Sequence, residues 1–175
     1  MSKDPNFIDD LLEGVKSNQI SIDEAKAQLS HYDELGFAKI DLHRAKRQGF
    51  PEVIFGEGKT KEQINQIIES LTQHDNVILV TRIDETKAKF VLEHHPYLQY
   101  HSVANIVSTP IEKIKKSQNY ISILCAGTSD LAVAEEAALT AEVMGIQVKR
   151  FYDVGVSGIH RLFNHIHEIR QGKVS

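Results

Sequence analysis

Two glycine-containing segments bring hydroxyls, carboxylates, an imidazole and a guanidinium together at spacings that could do chemistry. Ala126-Gly127-Thr128-Ser129-Asp130 follows an apolar run and precedes an Ala/Glu-rich stretch, so it reads as the turn where a strand hands over to a helix. Gly127 permits close backbone approach, the free N–H groups of a helix start bind anions, and Thr128 and Ser129 add hydroxyls. The competing reading is an ordinary Ser/Thr/Asp helix cap, with Asp130 favourable to the helix dipole. Gly155-Val156-Ser157-Gly158-Ile159-His160-Arg161 follows the next strand. Its imidazole can move a proton near neutral pH, and its guanidinium forks onto a carboxylate or phosphate. A glycine-rich surface connection is the alternative. Parallel strands would set both segments on one sheet edge, where open α/β sheets bind ligands.

A third segment, Gly56-Glu57-Gly58-Lys59-Thr60, resembles the end of a phosphate-binding loop. Val53 stands where the full motif needs its leading glycine, which argues against a complete Walker A loop. A smaller phosphate nest with Lys59 as donor and a simple turn closed by a Thr60–Gln63 capping box stand side by side. Arg44, Lys46 and Arg47 lie before it and Arg82 ends the next strand. Converging with Lys59 and Thr60, they would cradle a phosphoanhydride; otherwise they form a solvated basic face. The histidines lack the i, i+4 pairing that puts two metal ligands on one helix face, so no metal site is read from them. The single cysteine, Cys125, rules out a disulfide framework and reads as a small core residue.

The elements that must position these groups form an α/β pattern. Two helices are expected over residues 6 to 31, the second opened by a Ser21–Glu24 capping box. Strands at 37–40, 53–55, 77–80 and 98–101 alternate with helices after Asp41, after Thr60 and near 84–93, which predicts a layer of parallel strands. The polar, lysine-rich stretch from 110 to 119 reads as a boundary. Beyond it, Tyr120–Cys125, a helix over 131–144 and Ile146–Phe151 form a right-handed βαβ unit, followed by a last helix. Three regions follow: a helical segment (1–35), a small α/β domain (36–115) and the first part of a parallel-sheet domain (116–175).

A chain of 175 residues with net charge −4 carries no broadly basic face, so nucleic-acid binding is not expected. No apolar run reaches the length of a membrane span, and no signal core opens the sequence, so a cytoplasmic protein without a membrane partner is expected.

Taken in order, these motifs resemble one family. The run DLHRAKRQGFPEVIFGEGKT from Asp41 to Thr60 resembles the first signature of the LarB family. AGTSD at 126–130, VAEEAA at 133–138 and YDVGVSGIHRL at 152–162 resemble its second, and the likeness runs from Gly36 to Arg170. The C-terminal part is similar to PurE, the aminoimidazole ribonucleotide carboxylase or mutase, with Ser129, Asp130 and the pair His160-Arg161 at matching positions. Ala126-Gly127 departs from that relative's Gly-Ser start.

The resemblance implies an incomplete PurE-like parallel sheet (flavodoxin/Rossmann type) and a role in nickel-pincer cofactor biosynthesis, the maturation of lactate racemase. It implies carboxylation of the pyridinium ring of nicotinate adenine dinucleotide by CO2 or bicarbonate, with hydrolysis of the phosphoanhydride to give pyridinium-3,5-biscarboxylic acid mononucleotide and AMP. Magnesium is expected to help the anhydride step, and a homo-oligomer, an octamer if PurE-like, is expected. Ser129, Asp130, His160 and Arg161 take the catalytic roles. Arg44, Arg47, Lys59, Thr60, Arg82, Gly127, Thr128, Gly155, Ser157 and Gly158 hold the substrate. An electron-poor ring needs a nucleophile added before it can be carboxylated, and in the family that nucleophile is a cysteine downstream of the position of Ser175. The sequence is therefore read as C-terminally truncated. A non-catalytic nucleotide-binding fragment, a PurE-like carboxylase or mutase, and a plain assembly domain are the alternatives.

Overall fold

The computed structural model describes residues 7–22, 24–25, 32–42, 44, 49–73 and 77–172. Helix α1 (Phe7–Lys16) buries Leu11, and the chain folds back so that Ile20 N–H donates to Gly14 O at 3.1 Å. Ser21 and Glu24 form the expected capping box, with Ser21 N–H on Glu24 Oε2 (2.8 Å) and Glu24 N–H on Ser21 Oγ (3.2 Å). Strands β1 (Tyr32–Glu34) and β2 (Lys39–Asp41) then pair antiparallel. Most of the basic helix expected after Asp41, including Arg47, lies outside the described residues.

The main sheet contains β3 (Ile54–Phe55), β4 (Leu79–Thr81), β5 (Gln99–His101) and β6 (Ile106–Ser108), in the order β3-β4-β6-β5. Helix α2 (Lys61–Thr72) crosses from β3 to β4, and α3 (Glu85–His94) leads from β4 to β5. Ile64, Ile67, Ile68 and Leu71 of α2 and Ala88 and Val91 of α3 bury against Ile54, Ile78, Val80 and Val107. This periodic apolar face is the one the sequence displays.

The expectation of a parallel layer holds only for β3 and β4; β4 with β6 and β5 with β6 pair antiparallel. The reason is the connection. Residues 102–105 are too few for the crossover a parallel pair requires, and Asn105, at φ 52°, turns the chain back instead. Strand β6 itself, Ile-Val-Ser, offered too short an apolar run to be read as an element.

Strands β7 (Tyr120–Leu124) and β8 (Gln147–Phe151) pair parallel, with Tyr120 opposite Gln147 and Leu124 opposite Phe151. Helix α4 (Leu131–Val143) is their crossover, and Gly145 at φ 82° ends it. A β-carbon on Gly145 would lie 2.9 Å from Lys115 O. Helix α4 also packs on the main sheet, where Leu139 and Val143 share a core with Leu79, Ala104 and Ile106. Contact on two sides explains its lack of a single apolar stripe.

The expected last helix is two short ones, α5 (Ile159–Asn164) and α6 (Ile166–Gln171). The hydroxyl of Tyr120 donates to Glu168 O at 2.6 Å, and Lys149 pairs with Glu168 at 3.1 Å, tying α6 to the two-stranded sheet. The fold is mixed α/β. No described helix is long and apolar enough to cross a membrane.

Candidate functional site

Because β7 and β8 run parallel, their carboxyl ends share an edge, and the hydrogen bonding continues past them into both loops. Cys125 N–H donates to Phe151 O (3.0 Å), Val154 N–H to Cys125 O (3.1 Å) and Gly155 N–H to Ala126 O (3.1 Å). A β-carbon on Gly155 would come within 2.6 Å of Ala126 O, so glycine is what lets the two loops close on each other. Cys125 is buried beneath them and its thiol donates to Gly127 O at 3.0 Å.

Gly127 leads into a short 3₁₀ turn, Thr128–Asp130, and then α4. The capping alternative is not realised, since neither Gly127 nor Asp130 makes a side-chain cap and Thr128, Ser129 and Asp130 are exposed. In the opposite loop, Val156–Gly158 forms another 3₁₀ turn before α5. Gly155 is half-buried, Ser157 and His160 are exposed, and His160 makes no hydrogen bond or ion pair among the described residues. Arg161 Nη1 donates to Asp153 Oδ2 at 2.7 Å, and Asp153 holds a left-handed backbone at φ 58°. Gly158 lies under the guanidinium, while Arg161 Nε is buried without a partner. Gly127, Thr128, Ser129 and Asp130 of one loop and Gly155, Ser157, Gly158, His160 and Arg161 of the other thus occupy one edge.

Of the expected phosphate cradle, the described cations Arg44, Lys59 and Arg82 each have a local partner. Arg44 Nη1 meets Glu52 Oε2 at 3.4 Å, and Lys59 Nζ donates to Phe55 O at 3.0 Å. Thr60 Oγ1 accepts from Gln63 N–H (3.2 Å) and Thr60 N–H donates to Gln63 Oε1 (3.0 Å), the capping box that starts α2. Arg82, at φ 51°, reaches Glu57 at 3.4 Å and Glu136 of α4 at 3.5 Å, and lies over the Phe55 ring. These exposed pairs are worth about 1 kcal/mol or less and would exchange readily for a ligand anion. Among the described residues no group of three or more His, Cys, Asp or Glu could hold a metal ion, so the magnesium implied by the resemblance finds no donor set built for it there.

Sequence reasoning missed a polar network beside this edge. Arg150 Nε donates to both oxygens of Glu135 (3.2 and 3.3 Å), and its Nη1 and Nη2 donate to Glu142 at 3.0 and 2.7 Å. Tyr152 Oη donates to Glu135 Oε1 at 2.6 Å. Hydrogen bonds from Arg150 hold the Glu142 carboxyl below its ordinary value. Burial, with Glu135 as acceptor, pushes the Tyr152 phenol up to about 12. Burial also lowers His101, whose Nε2 lies 3.3 Å from Ser108 Oγ. Arg150, Glu135, Tyr152 and His101 border an open cleft of about 540 Å³ between the β5–β6 turn, α4 and β8, whose walls also include Tyr100 and Leu131. The available signal was alternation: Val148, Arg150 and Tyr152 share one strand face, while Leu131, Glu135, Leu139 and Glu142 share one helix face.

Comparison with known proteins fits this architecture. Residues 32–112 match the LarB/PurE-like N-terminal domain. The chain is 37% identical over 164 residues to the uncharacterized protein MJ0165 of Methanocaldococcus jannaschii, an alignment covering 88% of this chain and 64% of the relative. The chain thus spans a little under two thirds of the relative's length.

Proposed function

We propose that the chain is a LarB/PurE-like protein of carboxylase or mutase type, on the strength of the domain match over residues 32–112, and that it serves in nickel-pincer cofactor biosynthesis. The reaction is carboxylation of nicotinate adenine dinucleotide at the pyridinium ring, with hydrolysis of the phosphoanhydride to a biscarboxylic mononucleotide and AMP. The observation that carries the reading is the closed pair of loops. Gly155 N–H on Ala126 O brings the AGTSD turn and the His160-Arg161 segment to one sheet edge, with their polar side chains exposed.

The chemistry assigns each group a task in binding, CO2 placement or proton removal; none of them is the nucleophile that must first add to the ring. A ring carbon that gains a carboxylate loses a proton, and the unpartnered imidazole of His160 is the group suited to take it. Thr128, Ser129 and the N–H groups at the start of α4 suit CO2 or bicarbonate, whose oxygens accept hydrogen bonds. Arg161, positioned by Asp153 and Gly158, suits the substrate carboxylate. Lys59, Arg82 and Arg44 are the described cations proposed for the phosphates, and Asp130, at the start of α4, is proposed as an acceptor for water. CO2 or bicarbonate is a co-substrate, and a homo-oligomer is the proposed assembly.

The test is incubation of the chain with nicotinate adenine dinucleotide, magnesium and isotopically labelled bicarbonate, read by mass spectrometry. AMP together with a labelled dicarboxylated mononucleotide is the expected result. A chain that binds the dinucleotide without turnover is a nucleotide-binding module, and one that does neither overturns the proposal.

A further inference from the structure

The cleft bordered by Arg150 and Tyr152 touches the loop edge at two points. Leu131, in its wall, follows Asp130 directly, and Tyr152 directly precedes the Asp153 that holds Arg161. A ligand held at the loops can therefore extend into it. Its volume, about 540 Å³, is ample for a nucleoside.

The walls decide what enters. Arg150 uses Nε, Nη1 and Nη2 within its own plane, on Glu135 and Glu142, so its edge is occupied and its flat face remains for stacking. Glu135 and Arg150 are the charged side chains of the lining and offset each other, and Arg150 is committed to carboxylates, so no free cation is offered to a phosphate or carboxylate there. Tyr100, His101 and Tyr152 supply rings, and Leu131 and Leu139 supply apolar surface. Glu135, as a carboxylate, has lone pairs beyond those meeting Arg150 and Tyr152, so the wall suits a ring bearing an amino donor.

The geometry points to this cleft as the subsite for a neutral, planar, amine-bearing heterocycle: the adenine half of the dinucleotide, with the reacting ring lying toward the two loops. This rests on the dinucleotide reading above. It makes the cleft between the family's N-terminal domain and the βαβ unit part of substrate binding. Neutral His101 is consistent with it, because an uncharged imidazole does not compete with Arg150 for the carboxylates.

The experiment is calorimetric titration of the whole chain with adenosine, which has no phosphate, in the presence and absence of nicotinate. Val103 lines the cleft and is half exposed, so Val103→Trp fills the mouth without entering the core. Adenosine is expected to bind the parent chain, to be unaffected by nicotinate, and to lose at least about tenfold in affinity in Val103→Trp, with thermal unfolding moved by no more than about 2 °C. No adenosine binding at millimolar concentration, equal binding by the variant, or displacement by nicotinate would each overturn the subsite. Adenosine binding that follows this pattern in a chain without carboxylase turnover keeps the subsite and removes the carboxylase reading. Turnover of the dinucleotide without adenosine binding does the reverse.

Discussion

Gly158 and Arg161 are in contact: a β-carbon at Gly158 would lie 2.6 Å from Arg161 Nη2 and 2.7 Å from its Cζ. The guanidinium is thereby laid flat on the loop and aimed at Asp153. Gly158 has a negative φ, so alanine there meets no backbone strain, only the far end of a mobile side chain. Gly158→Ala is expected to displace Arg161 at a stability cost of about 1 kcal/mol or less while weakening dinucleotide binding about tenfold. Thermal melts and binding titrations on the same variant check both numbers. A full loss of folding would show that the glycine serves the fold rather than the arginine.

Gly155 makes the contrasting case. Its β-carbon would meet backbone, 2.6 Å from Ala126 O and 3.3 Å from the Ala126 carbonyl carbon, and neither chain can yield without opening the loop pair. Gly155→Ala is expected to cost about 1–3 kcal/mol, the range for overpacking, and to lower binding with it. Urea denaturation is the measurement. An unchanged midpoint would mean the two loops are not held together in solution as their hydrogen bonds imply.

Thr60 separates capping from ligand binding. Its hydroxyl and its N–H are both used in the box with Gln63, so Thr60→Ala is expected to destabilise the chain by about 1 kcal/mol. Thr60→Ser retains the hydroxyl and should restore the stability. Loss of dinucleotide affinity in alanine beyond the stability change, restored by serine, would add a binding role for that hydroxyl.

How much of this was legible depended on whether the signal was local. The Thr60 and Ser21 capping boxes, the isoleucine stripe of α2 and the two loops after β7 and β8 are all written within about ten consecutive residues, and each is present. The hairpin of β5 and β6 was not legible, because its turn depends on Asn105 adopting a positive φ and carries no Gly or Pro. The Arg150–Glu135–Glu142 cluster was not legible either. In sequence Arg150 is one charge inside a strand, and only the pairing of β8 with α4 shows that its face meets two carboxylates. The Gly158–Arg161 contact lies between these cases: both residues were singled out, but as separate ligand groups rather than as support and supported.

The same cluster sets an acid limit on stability. Glu142 is depressed from 4.5 chiefly by its hydrogen bonds to Arg150. A carboxyl with a lowered folded value contributes stability fully above the unfolded value, and loses it as pH falls through the folded one. Stability is therefore expected to fall below about pH 4.5, and Glu142→Gln should flatten that limb. Arg150→Met leaves two carboxylates without their partner and is expected to cost about 2–3 kcal/mol near neutrality, less than a fully buried pair because the guanidinium is partly exposed. Denaturant midpoints from pH 3 to 7 on the parent and both variants test this. Parallel curves for the parent and Glu142→Gln would place the acid transition elsewhere.

A second pH dependence should appear nearer neutrality, from His95. It is buried between α2 and α3, with Nε2 2.9 Å from Asn65 Oδ1, while Asn65 Nδ2 donates to Glu69 Oε1 at 2.7 Å. That chain of donors fixes Nε2 as the protonated nitrogen of a neutral ring. Burial lowers the His95 value below 6.5, against a smaller opposing pull from Glu69. The unfolded chain then binds more protons than the folded one in the window below 6.5. Stability is complete above that value and declines as pH drops through it toward the lower folded value. His95→Gln can still donate to Asn65 and cannot titrate, so its urea midpoint should change less between about pH 7.5 and 5.5. Part of the slope should remain, since burial lowers His101 in the same direction. A variant slope as steep as the parent's would show that His95 binds protons equally in both states over that range, and that His101 or another group carries the dependence.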